Sequence, residues 1–167
     1  HAGLRILQST IPTKIPPSSR KWLCQRHLRP SARLDVAQQL AKHKLATSMI
    51  DISDGLSGDL SHLCNANSVG ATIDLNCLPL SSELKKYSHH ANSHANEIAL
   101  HGGEDYELLF TVKPNSVPRI KRWNARNILH ATHIGTIMPQ KQKLKVITQT
   151  GTTKIMPIKS FTHFPGK

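Results

Sequence analysis

Ala46-Thr47-Ser48-Met49-Ile50-Asp51-Ile52-Ser53-Asp54-Gly55-Leu56 begins as a short apolar run and breaks at Ser53-Asp54-Gly55. The run predicts a strand over 46–52. After the break, Leu56, Leu60, Leu63 and Cys64 recur at helical spacing, so a helix follows the turn at once. Strand, turn and helix in direct succession point to a fold in which strands and helices mix.

Working outward, residues 1–9 read as the end of a helix, and 10–19 as a Pro- and Ser-rich connection. Ser19 is a candidate cap for a helix over 20–28, which Pro30 stops. A helix over 34–43 places Val36, Ala37, Leu40 and Ala41 on one face. Downstream, Val69 to Leu75 alternates as a strand does, and Pro79 with Ser81-Ser82 opens a polar region. A helix over 92–101 ends at Gly102-Gly103. Tyr106 to Val112 reads as a strand, and Asn115 or Ser116 caps a helix to Trp123 with Pro118 in its first turn. Strands are expected over 130–137 and 144–148, and Thr150-Gly151 turns the chain into a last strand over 153–156. No internal repeat or low-complexity tract interrupts this. The fold class is α/β, a mixed sheet covered by helices in the manner of an α+β sandwich.

The 167 residues make one domain with a real core. At 38 % hydrophobic and 4 % aromatic, that core is built from Leu, Ile, Val and Ala, and the apolar content excludes a disordered chain. No run approaches the roughly 18 apolar residues of a membrane helix, so no membrane partner is expected. The opening His1-Ala2-Gly3-Leu4-Arg5-Ile6-Leu7 reads as the inside of a helix, which implies a longer parent chain. Three cysteines, Cys24, Cys64 and Cys77, lack C-x-x-C spacing. They read as small buried apolar residues in a reducing, cytoplasmic compartment. The net charge of +12 draws anions. The bases are scattered and stacking aromatics are few, so a nucleic-acid-binding module is the weaker reading.

Two segments carry chemistry. In Asp51-Ile52-Ser53-Asp54-Gly55 two carboxylates lie at a strand end before a helix, where folds of this class place ligands. A turn puts both on one side, Gly55 allows a tight backbone, and helix N–H groups add anion potential. Magnesium prefers such oxygens, though two Asp residues alone do not complete its shell. Equally, Asp54 could be an N-cap and Asp51 a turn residue. In His101-Gly102-Gly103-Glu104-Asp105-Tyr106-Glu107 a Gly-Gly turn projects acids at a strand entrance, where they can meet an amine or cationic ring, or simply face solvent. His89, His90 and His94 read as surface residues rather than metal ligands, and no base is fixed beside Cys64 or Ser53 to make a nucleophile.

The run "IDISDGLSGDLSHL", then "GATIDLNCLPLS", then "LHGGEDYELLFTV", with "QRHLRPSARL" before them and "HIGTI" after, resembles the thiamine-monophosphate kinases. The opening "AGLRIL" is similar to the helix that follows a Gly-Asp motif there. The resemblance covers nearly the whole chain. It implies a relation to aminoimidazole ribonucleotide synthetase and selenophosphate synthetase. It also implies an α/β C-terminal domain over 31–167, and a helical lead-in over 1–30 from an N-terminal ATP-binding domain outside this chain. The implied activity is ATP- and Mg²⁺-dependent phosphorylation of thiamine monophosphate to thiamine diphosphate by direct in-line transfer, in a family of homodimers, with the isolated half inactive. Carried over by residue, Asp51 and Asp54 bind Mg²⁺, Ser53 and Arg26 contact the nucleotide, and Glu104 and Phe161 contact the substrate. No residue is assigned as catalytic acid or base. In "SFTHF", Ser160 and Thr162 depart from the more usual Gly and Asp. Other readings are a synthetase of the same group with a different acceptor, or a non-catalytic interaction domain.

Overall fold

The structure is a computed structural model and describes residues 1–8 and 14–159. In chain order its helices are α1 (Ala2–Leu7), α2 (Pro17–Leu28), α3 (Leu34–Lys42), α4 (Leu56–Ala66), α5 (Ser82–His90), α6 (Ala95–His101) and α7 (Val117–Ala125). The strands are β1 (Ala46–Asp51), β2 (Val69–Asp74), β3 (Leu108–Val112), β4 (Gly135–Pro139), β5 (Leu144–Ile147) and β6 (Thr153–Ile155). The fold class is the expected mixed α/β. Its mixed sheet has four strands in the order β4-β2-β5-β6, with β2 and β5 parallel and the other pairs antiparallel. β1 and β3 stand apart as an antiparallel pair.

Helix α4 joins the two sheets. Its Leu56, Leu60, Leu63 and Cys64, the positions with helical spacing, are all buried. They pack with Ala71 and Ile73 of β2, Val146 of β5, Leu109 of β3 and Leu100 of α6. Burying each leucine contributes about 1.5–3 kcal/mol, so this face fixes α4 across both sheets. A second cluster, Leu40, Leu45, Ile120 and Leu129, gathers Leu108, Phe110 and Val112 of β3 with residues of α3 and α7. β3 thus gives Leu109 to one core and its neighbours to the other, the period-two alternation of a strand between two layers. A third cluster joins α1, α2 and α5 through Ala2, Ile6, Leu23 and Tyr87.

Several local expectations shift. α2 starts at Pro17, with proline in the first turn, and Ser19 lies buried inside it rather than capping it. α5 fills the stretch read as a polar region, capped by the Ser81 hydroxyl, which accepts the Leu84 N–H at 3.1 Å. Its only buried residues are Tyr87 and Ser88, so it carries little apolar signal. Cys64 is buried as expected, but Cys77 is exposed. Among the described residues no helix is long and apolar enough to cross a membrane.

Candidate functional site

The two chemical segments meet because β1 and β3 are antiparallel neighbours. Their register pairs Ile50 with Leu109 and Asp51 with Leu108. Beyond the strands the pairing continues through backbone bonds: Ile52 N–H to Glu107 O at 2.9 Å, Tyr106 N–H to Ile52 O at 2.9 Å, and Glu104 N–H to Ser53 O at 2.8 Å. Asp51-Ile52-Ser53-Asp54 and Gly103-Glu104-Asp105-Tyr106 therefore lie side by side at one end of this ribbon.

This junction is tightly made. Gly55 has φ +107°, and a Cβ there would lie 2.9 Å from the His101 carbonyl oxygen. A Cβ on Gly103 would lie 2.6 Å from the Ser53 carbonyl oxygen. Glu104 and Tyr106 have φ of +64° and +51°, each a left-handed conformation costing about 1–3 kcal/mol, held by their bonds to Ser53 and Ile52.

Asp51 is exposed at the end of β1, while Ser53 and Asp54 are half-buried in the turn. Among the described residues neither Asp51 nor Asp54 pairs with a cation. Two uncommitted carboxylates beside a hydroxyl are hard oxygen donors, which fit Mg²⁺. Among the described residues no group of three or more His, Cys, Asp or Glu could hold a metal. Phosphate oxygens or further acids must complete the shell.

The N–H groups of this turn do not face outward as an anion site. Those of Ser53 and Asp54 donate to one oxygen, Oδ2 of Asp59, at 3.0 and 3.1 Å. Asp59 is 2 % exposed. Burial pushes its carboxyl above the usual range, against the pull of the N–H groups it accepts. Sequence reasoning missed it: an Asp in the first turn of a helix carries no mark of which backbone it will bind.

Arg26 does not stand free. Its Nη2 donates to Glu107 Oε1 at 2.8 Å, and Arg33 grips the same carboxylate through two bonds, 2.8 Å from Nε and 2.6 Å from Nη2. Burial pushes Glu107 up, but Arg33 and then Arg26 outweigh it and hold its carboxyl below the usual range. The arginines thereby tie α2 and the start of α3 to Glu107, in the segment that runs from Glu104 into β3. Glu104 itself is 52 % exposed in its side chain, with Oε2 3.3 Å from His27 Nδ1. Phe161 lies outside the described residues, as do Ser160 and Thr162.

A Ser–His contact does occur, at Ser57 rather than at Ser53. Ser57 Oγ lies 2.8 Å from His101 Nδ1 and donates to the Lys159 carbonyl at 3.0 Å. With 0 % exposure Ser57 is closed to any substrate, so the pair anchors the chain at Lys159. Burial pushes the Cys64 thiol up, the reverse of an activated nucleophile.

The sequence pattern of the family described as AIR synthase related protein, C-terminal domain, matches residues 23–147. The thiamine-monophosphate kinase of Buchnera aphidicola (subsp. Acyrthosiphon pisum) is 34 % identical over 163 residues, 98 % of this chain and 49 % of the relative. That of Escherichia coli K12 is 47 % identical over 111 residues, 66 % of this chain and 33 % of the relative. Among solved structures, AaThiL complexed with AMPPCP and TMP superposes with a TM-score of 0.78 at 37 % identity, over 98 % of this chain and 47 % of that one. The chain spans about half the length of these relatives at most.

Proposed function

The chain belongs to the AIR synthase related family, as its C-terminal domain, and on that premise we propose that it is the C-terminal half of a thiamine-monophosphate kinase. The reaction is transfer of the terminal phosphoryl group of ATP to a phosphate oxygen of thiamine monophosphate, giving ADP and thiamine diphosphate. The observation that carries this reading is the Glu104 N–H bond to Ser53 O, which sets the candidate substrate-binding acid beside the candidate metal-binding turn. Likeness across 98 % of the chain to a protein solved with AMPPCP and TMP supports it.

Asp51 and Asp54 would hold Mg²⁺, which supplies charge neutralisation between two anionic reactants. Asp51 projects from a strand end and Asp54 from the turn behind it, so the two acids approach bound phosphates from a rigid base. The Ser53 hydroxyl is a short neutral donor for the nucleotide. Arg26 stands at the edge of this group, its charge shared with Glu107. Glu104 supplies a carboxylate for the cationic thiamine moiety, and Phe161 an aromatic surface for it. The acceptor oxygen is ionised near neutral pH, so no residue here serves as general base and no covalent intermediate is needed.

The remaining metal ligands and much of the nucleotide site belong to an N-terminal domain. Residues 1–30 lead in from that domain, and 31–167 form the domain that closes over it, in a cytoplasmic homodimer. The test is reconstitution. This chain and a separately produced N-terminal half are mixed with ATP, Mg²⁺ and thiamine monophosphate, and thiamine diphosphate is measured by chromatography. Neither half alone forms product, and the mixture does. Two folded halves that associate yet make no thiamine diphosphate would overturn the reading.

A further inference from the structure

We propose that Asp59 is a positioning residue that turns the Ser53–Asp54 backbone inward and so makes the corner a site for a divalent cation with its phosphates rather than for a bare anion. The inference rests on the reading of Asp51 and Asp54 as metal-binding acids.

Three observations carry it. Asp59 Oδ2 accepts both turn N–H groups, at 3.0 and 3.1 Å, from a helix whose first turn is buried. Two N–H groups side by side before a helix are otherwise an anion-binding arrangement, and here both are taken from behind. From the other side the turn is backed by Gly103, whose position leaves no room for a Cβ against Ser53 O. The turn is thus clamped between α4 and the Gly-Gly segment. With its N–H groups committed, what remains for a ligand is oxygen: the Asp51 and Asp54 carboxylates and the Ser53 hydroxyl.

One oxygen accepts both bonds, so Asp59→Asn keeps the acceptor and the shape while Asp59→Ala loses both, and these two substitutions are the informative pair. The probe is Mn²⁺ added together with ATP, which supplies the phosphate oxygens, to the ¹⁵N-labelled 167-residue chain, and the readout is paramagnetic broadening of backbone amides. In the unsubstituted chain, residues 51–54 broaden first. Asp59→Ala raises the half-broadening Mn²⁺ concentration at least about tenfold, the loss typical of groups that orient metal ligands. Asp59→Asn stays close to the unsubstituted chain. Equal broadening in all three overturns the proposal, as does Asp59→Asn failing as badly as Asp59→Ala, which would mean that charge rather than position matters. No broadening of 51–54 in the unsubstituted chain overturns the metal reading itself and this inference with it. Hydrogen exchange needs no variant: the Ser53 and Asp54 amides must exchange slowly, and rates like those of an open loop overturn the clamp directly.

Discussion

The Ser53 carbonyl oxygen accepts the Glu104 N–H at 2.8 Å, across 51 positions of sequence. That bond extends the β1–β3 ladder past the last residues of either strand and locks two turns together. Each turn contains acids. The bond therefore converts two separate local motifs into one surface. Its geometry depends on Gly103, the residue just before Glu104.

Gly103→Ala is expected to pull that surface apart. The new methyl would meet the Ser53 carbonyl oxygen at 2.6 Å, and the obstacle is backbone, so a turn must move. The expected loss is about 1–3 kcal/mol of stability. Thermal unfolding measures it, and faster amide exchange at Glu104 locates it. Unchanged stability with Glu104 still protected would mean that the contact is loose.

Glu107→Gln is expected to weaken the docking of α2 and α3 on β3. The side chain is 41 % exposed, so solvent screening limits the cost to roughly 1 kcal/mol despite three hydrogen bonds. The pH dependence has a definite sign. Burial raises the carboxyl and the two arginines lower it further, leaving it below its ordinary value of 4.5. Its contribution is therefore complete above 4.5 and fades as pH falls through the folded value. The gap in Tm between the unsubstituted chain and Glu107→Gln must shrink on acidification. A gap that is constant with pH would show that charge plays no part.

How much of this was legible depends on the range of each interaction. The strand, turn and helix over 46–66 announced themselves because the apolar run and the Leu56, Leu60, Leu63, Cys64 spacing are local. The acids of both turns were legible for the same reason. Asp59 was not, because its partners are backbone N–H groups and backbone carries no sequence signal. Arg26 read as a ligand contact from its motif, yet its bond is to Glu107, 81 positions away. Nothing local could reveal that β1 pairs with β3 in a sheet of its own, since strand pairing is decided by packing of α4 and α7 on opposite faces. α5 was missed because most of its residues are polar and only Tyr87 and Ser88 are buried.

The fold that buries His101 is expected to lose stability in mild acid. Ser57 donates to the Lys159 carbonyl, so it accepts from His101 Nδ1–H, and burial favours neutral imidazole. Burial and the nearby Lys159 lower the His101 value and Glu97 raises it, with a net position below 6.5. An unfolded chain then binds this proton at a pH where the folded one does not. Stability is full above 6.5 and falls as pH drops toward the folded value. Titration of the His101 ring protons by NMR must give a midpoint below 6.5. A midpoint above it would mean that Glu97 dominates and would reverse the sign.

In the intact enzyme the two acids of the junction are expected to fail in different ways. On the proposed metal role, Asp51→Asn would remove a charge that holds Mg²⁺, an interaction that matters more as charge builds in the transition state. It should lower kcat strongly at ordinary Mg²⁺ concentrations, with partial recovery as Mg²⁺ is raised. On the proposed substrate role, Glu104→Ala would remove a contact with the thiamine moiety, which changes little during phosphoryl transfer. It should raise KM for thiamine monophosphate with kcat and the ATP dependence nearly unchanged, the signature of lost uniform binding. The bond between Ser53 and Glu104 makes this split informative, because both variants disturb the same small surface. If the acids acted only by holding the turns together, the two substitutions would damage both substrates alike. Steady-state kinetics varying ATP, Mg²⁺ and thiamine monophosphate separately would tell the cases apart. A change confined to ATP in Glu104→Ala would remove Glu104 from the substrate site.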